Sequence, residues 1–238
     1  MLIFWRLLLG HLLADFTFQL NAINAWKRRS VWGMLVHVGM HPVFYAALTW
    51  PYLGQDWIRI GRVGLPGWAC IAAITALHFV EDQWRVFHVR RYQARDNTLY
   101  FLWDQFIHWL CLFVFLPVGL LDAAQGWFPE RWAPVLCLIV GATNFCGILI
   151  YFIEKDFYDS TFPEFDEKYM AMAERLVIVC CLLFPGAGWW LVLAAAWLGV
   201  MAYLRRSRIV DFSWFSYYFG GAFAVASGLA ARLIWYAG

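Results

Sequence analysis

The stretch HFVEDQWR, residues 78–85, ends an apolar run yet carries an imidazole and a carboxylate four residues apart. In a helix, residues i and i+4 share one face and stand about 6 Å apart along the axis. His78 and Asp82 therefore make a two-toothed polar stripe on an otherwise greasy segment. Working outward, the same device recurs in GHLLADF (10–16) with His11 and Asp15, in HVGMH (37–41) with His37 and His41, and in DQFIH (104–108) with Asp104 and His108. Of the six histidines only His88 stands apart from such a pair.

Composition says what solvent surrounds these stripes. Hydrophobic residues make up 63% of the 238 and charged residues only 14%, which places the chain among integral membrane proteins. A bilayer crossing takes roughly 20 apolar residues, and the apolar runs suggest about eight spans, near 2–21, 31–50, 66–85, 99–121, 132–152, 169–184, 186–204 and 212–236. The runs are continuous, without the alternation and regular turns of a membrane barrel, so the expected fold is an all-α polytopic membrane helix bundle. We expect one membrane domain over 1–238, with 1–121 as a four-helix cage and 132–238 as supporting helices around an acidic loop, 153–168. The stretch NAINA offers small residues where a signal peptidase could cut. His11 and Asp15 inside the first apolar run, with a basic group after it, argue for retention. Across PGAG (185–188) the sixth and seventh spans follow so closely that a re-entrant pair is an alternative.

Basic residues mark the cytoplasmic side of a membrane protein. Lys27, Arg28, Arg29, Arg85, Arg90, Arg91, Arg95, Lys155, Lys168, Arg205, Arg206 and Arg208 fall in the odd-numbered connections, whereas the even ones hold Arg59, Arg62 and Arg131. Twelve against three predicts both termini non-cytoplasmic in a multi-pass membrane protein. Its surroundings are the lipid bilayer, and a formal net charge of +2 gives no reason to invoke nucleic acid. Protein partners leave no mark in the sequence. The six cysteines all fall in predicted spans without a CxxC spacing, and read as packing residues. Trp and Tyr gather near span ends, as interfacial belts do.

The direction of the helices sharpens the stripes. Counted inward from the cytoplasmic end of each span, His11, His41, His78 and His108 fall at one level, with Asp15, His37, Asp82 and Asp104 one turn shallower. The Asp precedes its His on the fourth helix and follows it on the first and third, as alternating helices around a shared site require. Polar groups at membrane depth are costly, each carboxylate by roughly 2.5–3.5 kcal/mol at the centre. A bound divalent ion contributes on the order of 10 kcal/mol, and imidazole with carboxylate is a ligand mixture suited to zinc, iron or manganese. These eight residues are the candidate ligands of one or two divalent ions, zinc favoured. A hydrogen-bonded His and Asp network or a proton relay is the competing reading.

In order and spacing, GHLLADFTFQL with WKRR, then LVHVGMH, LHFVEDQWR and LWDQFIHWL, resemble an uncharacterised bacterial membrane-protein family catalogued as a domain of unknown function, DUF3307. The likeness covers roughly residues 7–110, with looser similarity in AERLVIV, at Glu174 and Arg175, and in YYFGGAF. The resemblance implies that His11, Asp15, Gln19, His37, His78, Asp82, Asp104, Gln105 and His108 fill the family's polar motif positions. It implies no activity.

The leading functional expectation is a metal-dependent hydrolase acting on a lipid-linked phosphate, ester or amide that enters from the cytoplasmic leaflet. A metal-bound water needs a proton acceptor. Asp82 or Glu81 could serve, and because Glu81 points about 100° away from Asp82 on the helix, Asp82 is the better candidate. Gln19 and Gln105 either orient ligands or substrate or pair with backbone, and Arg85 either meets a phosphate or anchors the topology. The alternatives are a divalent-cation or proton carrier or channel, and a non-catalytic membrane subunit with a structural metal. The acidic segment EKDFYDSTFPEFDEK (154–168) reads as a solvated loop, or as a lid or docking site for a basic partner.

Overall fold

A helix of eleven residues, Leu2–Leu12 (α1), runs directly into a π-helical turn, Leu13–Thr17, closed by the Phe18 amide donating to the Leu13 carbonyl at 2.8 Å. The computed structural model describes residues 2–119, 121, 128–163, 165–210 and 213–236, and these divide into two compact units, Met1–Ala133 and Pro134–Gly238. In the first, α1 is followed by a short helix, Asn21–Lys27 (α2), and by Val31–Thr49 (α3). Next come an antiparallel hairpin of Asp56–Ile60 (β1) and Val63–Pro66 (β2), then Gly67–Tyr92 (α4) and Thr98–Val114 (α5). Local chemistry sets the boundaries. Ser30 accepts from the Trp32 amide at 3.2 Å to start α3, and Asn97 accepts from the Tyr100 amide at 3.0 Å to start α5. Gln93 ends α4 in the left-handed conformation, φ 50°.

α1 packs on α3, α3 on α4, α4 on α5 and α5 back on α1, so the four long helices close a ring, with α2 laid against α3. One end of the ring is filled by an apolar core of Ile3, Leu7, Tyr45, Tyr52, Trp57, Cys70, Ile71, Ile74 and Leu112. Trp57 of the hairpin is 1% exposed, donates its indole N–H to the Tyr52 carbonyl at 3.0 Å, and lies where a Cβ on Gly67 would come within 2.6 Å. Arg6, also buried at this end, donates to the carbonyls of Leu48 at 2.6 Å and Phe128 at 2.8 Å, satisfying acceptors that the helix end leaves open.

In the second unit a continuous helical stretch is made of Trp132–Val140 (α6), a π turn Gly141–Phe145 and Cys146–Tyr158 (α7), followed by Phe165–Leu183 (α8), Trp189–Arg206 (α9) and Trp214–Tyr236 (α10). α10 packs on α8 through a buried stripe of small residues, Gly220, Ala224, Gly228 and Ala231, close enough that a Cβ at Gly228 would lie 2.6 Å from Leu182. Glu174 and Arg205 form a buried bidentate pair at 2.7 and 3.1 Å, and Arg175 donates to the Thr143 carbonyl in the π turn at 3.2 Å.

The architecture is helical, with one departure from the all-α expectation. The connection between the expected spans 31–50 and 66–85 holds a two-stranded hairpin, because Gly61 takes a positive φ of 63° and lets Gly61 and Arg62 close the turn between Ile60 and Val63. Among the described residues, three helical stretches are long and apolar enough to cross a membrane, Val31–Tyr52, Trp132–Tyr158 and Trp214–Tyr236. That is fewer than the eight expected spans. α1 is only eleven residues before its π turn, α4 carries Glu81, Asp82, Arg85, Arg90 and Arg91 in its second half, and α8 opens on Asp166, Glu167 and Lys168. Many large apolar side chains face outward, Trp32, Val43, Trp68, Val80, Phe106, Phe113 and Leu233 among them, while one end of the ring's interior is polar, the distribution of a membrane-associated protein. Among the described residues, none of the six cysteines is in a disulfide. The acidic connection is partly helical, since α7 runs to Tyr158 and α8 begins at Phe165; Glu164 and the chain ends Met1, Ala237 and Gly238 lie outside the described residues.

Candidate metal centre

The polar end of the ring is built in layers, one residue per helix. Leu7, Tyr45, Ile74 and Leu112, each at most 1% exposed, make a floor. One turn above them on the same helices stand His11, His41, His78 and His108, whose rings meet at centroid distances of 3.9 Å for His41 with His78 and for His78 with His108, and 5.4–5.7 Å for His11 with its neighbours. A further turn up are Asp15, His37, Asp82 and Asp104. The π turn that follows His11 swings Asp15 into the middle. Its Oδ1 lies 3.1 Å from His37 Nε2, 3.2 Å from His41 Nε2 and 3.6 Å from His78 Nε2, and its Oδ2 lies 3.5 Å from His11 Nε2. Pro42 follows His41 inside α3 and offers no N–H to the Val38 carbonyl one turn back.

Asp82 reaches His37 Nε2 at 3.2 Å, His78 Nε2 at 3.7 Å and His108 Nε2 at 3.7 Å, and Asp104 reaches His108 at 3.6 Å. Gln105 ties the layers together, its Oε1 3.1 Å from His11 Nε2 and its amide nitrogen donating to Asp104 at 3.1 Å and Asp15 at 3.4 Å. Glu81 does not point away, as the helical angle between neighbours suggested; its longer side chain carries Oε2 to within 3.5 Å of His108 Nε2. Arg85 is not left to meet a phosphate. Its two terminal nitrogens are taken by Asp104 at 2.8 Å and Asp96 at 2.7 Å. Gln19 joins none of these contacts, and its Oε1 is buried without a hydrogen-bond partner among the described residues. His88 stacks between Trp84 and Tyr92 along α4.

Three contributors escaped the sequence reading. Lys27 sends its ammonium to Asp82 Oδ2 at 3.1 Å and His37 Nε2 at 3.3 Å. Tyr45, fully buried with its hydroxyl unpartnered among the described residues, continues the His37 and His41 register by one more turn, a signal the sequence did carry. Asp96, in the connection between α4 and α5, joins Arg85 to Arg28, which donates at 3.0 Å. Burial alone pushes the Asp96 carboxyl up, but the charges and hydrogen bonds of Arg85 and Arg28 outweigh it and hold it below the ordinary carboxylate range. A carboxyl depressed by folding stabilises fully above its unfolded value and loses that contribution as pH falls through the folded one. Thermal unfolding followed below about pH 4 is therefore expected to show a shallower acid limb in Asp96→Asn than in the unmodified chain.

The chamber's donors fit a divalent cation better than they fit one another. His41 Nε2, His78 Nε2, His108 Nε2, Asp15 Oδ1, Glu81 Oε2 and Asp104 Oδ1 are all buried, and none has an aligned hydrogen bond among the described residues, although they crowd within 3.1–3.7 Å of neighbouring donors and acceptors. A buried polar atom so placed costs about 1–3 kcal/mol. Around an ion with ligand bonds near 2.1 Å, tetrahedral ligand atoms lie about 3.4 Å apart, which is the spacing seen here. The groups able to hold an ion are Asp15, His37, His41 and His78; Glu81, Asp82, Asp104 and His108; and the overlapping trio His78, Asp82 and His108. His11 belongs to none of them.

Among known proteins, a family model described as a protein of unknown function, DUF3307, matches residues 3–134, which cover the first compact unit but for its first two residues and run one residue beyond it. No curated protein and no solved structure matches the chain.

Proposed function

The chain belongs to the DUF3307 family, described as a protein of unknown function, and we therefore propose a function from the chemistry of the chamber. The reading it supports best is a multi-pass inner-membrane, metal-dependent hydrolase acting on a lipid-linked phosphate, ester or amide drawn from the cytoplasmic leaflet. The observation that carries it is the cluster of six buried imidazole and carboxylate atoms at ligand spacing without aligned hydrogen bonds. Zinc suits the mixture of imidazole and carboxylate, with iron and manganese as alternatives. With both ends of the chain outside, the basic connections would lie on the cytoplasmic face.

Asp15, His37, His41 and His78 would hold the ion. Bound there, it supplies Lewis acidity and a water acidic enough to ionise near neutral pH. Glu81 is the proton acceptor of choice, because its Oε2 is buried and unpartnered among the described residues whereas Asp82 is engaged by Lys27. Gln105 fixes the orientation of His11 and Asp15 together. An apolar groove of about 570 Å³ between α3 and α4, lined by Leu35, Val38, Pro42, Ile71, Thr75 and Phe79, suits an acyl or prenyl chain.

The test pairs metal content with turnover. Purified protein in mixed micelles is expected to carry zinc, iron or manganese and to cleave a lipid-phosphate, lipid-ester or lipid-amide probe. Glu81→Gln should keep the ion and lose roughly 10²–10⁴-fold in rate. Bound metal with no cleavage of any probe would leave a structural metal, and a metal-free protein that carries ions across proteoliposomes would make it a carrier.

A further inference from the structure

Two of the ligand groups share no residue, and their charges are met differently. Asp15 is faced by the imidazoles of His11, His37, His41 and His78. In the other quartet Asp82 receives Lys27 at 3.1 Å and Asp104 receives Arg85 at 2.8 Å. Lys27 also touches His37 Nε2 at 3.3 Å, so one ammonium holds a member of each quartet. Its seat is built. α2 lies so close to α3 that a Cβ on Gly33 would fall 2.5 Å from the backbone carbonyl carbon of Trp26, the residue before Lys27, and the Lys27 side chain is only 13% exposed.

We propose that Lys27 is a resident cation standing in place of a second metal ion, so that the chamber binds one divalent ion, in the quartet Asp15, His37, His41 and His78. The inference rests on the metal reading of the chamber. Asp82 and Asp104 of the second quartet are already paired with Lys27 and Arg85, whereas Asp15 faces imidazoles, so the first quartet is where a divalent ion meets buried charge. Lys27 also sets affinity. A neutral imidazole nitrogen has one lone pair, so the ion can take His37 Nε2 only when Lys27 gives it up. Lys27 then keeps Asp82, and Asp82 and Asp104 stay paired with side chains.

Titration with zinc, read by calorimetry and by metal analysis after desalting, tests this in the full-length protein. The unmodified chain should bind one ion. Lys27→Met should bind two, with the first about tenfold or more tighter, because a charge-assisted hydrogen bond no longer competes for His37. Lys27→Arg should return the count to one, and Lys27→Gln, which also removes the charge, replaces the Met variant if that one does not fold. Two ions in the unmodified chain, or one ion of unchanged affinity in Lys27→Met, overturns the role of Lys27 and leaves the metal reading standing. Loss of the ion in Lys27→Met overturns it as well. No ion in any of these proteins overturns both.

Discussion

Asp15→Asn is expected to leave the protein folded and without its metal. The exchange keeps the shape of the side chain and removes its charge, at the one carboxylate within 3.6 Å of three ring nitrogens from α3 and α4. Loss of a group that merely orients a ligand costs about 10–100-fold in metal affinity, so loss of the central anion should cost more than about 100-fold. Zinc retained through desalting should fall from stoichiometric to background, while circular dichroism in detergent stays as in the unmodified protein. His11→Ala is the companion measurement. His11 lies outside every ligand group and hydrogen-bonds Gln105, so its removal belongs to the milder range. Full zinc retention by Asp15→Asn would mean that the ion is anchored by other ligands, and an unmodified protein that retains no zinc would mean that the chamber is a hydrogen-bonded network.

The second large effect concerns stability, in the other unit. Glu174→Ala removes the carboxylate that grips both terminal nitrogens of Arg205, in a pair whose side chains are 6% and 1% exposed. The guanidinium keeps a long contact to the Met201 carbonyl at 3.4 Å and the Tyr217 ring, neither of which carries a full negative charge. Breaking a buried pair from one side costs about 3–5 kcal/mol, a drop in melting temperature on the order of 10 °C for a chain of this size. The double replacement Glu174→Gln with Arg205→Leu should recover much of that loss, since no charge is left unmatched. Equal melting temperatures for the single variant and the unmodified protein would show that water reaches the pair.

The eight imidazole and carboxylate residues were legible because a polar pair at helical spacing in an apolar run is too costly to keep unless its members meet partners, and because their order reverses with helix direction. Other features left no such trace. The π turn at Leu13–Thr17 has no residue signature, yet it aims Asp15. Lys27 is one of three adjacent basic residues in WKRR, and only the close approach of α2 at Gly33 selects it. Glu81 was misjudged from an angle between neighbouring Cβ atoms that a side chain one methylene longer overcomes. Arg85 looked like an interfacial anchor, and Asp96, which claims it, lies eleven residues away across a turn. The count of spans suffered because apolar composition measures burial in the ring as well as contact with lipid.

Beneath the histidines, the floor of Leu7, Tyr45, Ile74 and Leu112 rests on Trp57, and the hairpin corks that end of the ring. Water is kept from the histidine rings on that side, so the charges above them act on one another in a low dielectric, where each is felt more strongly than at a surface.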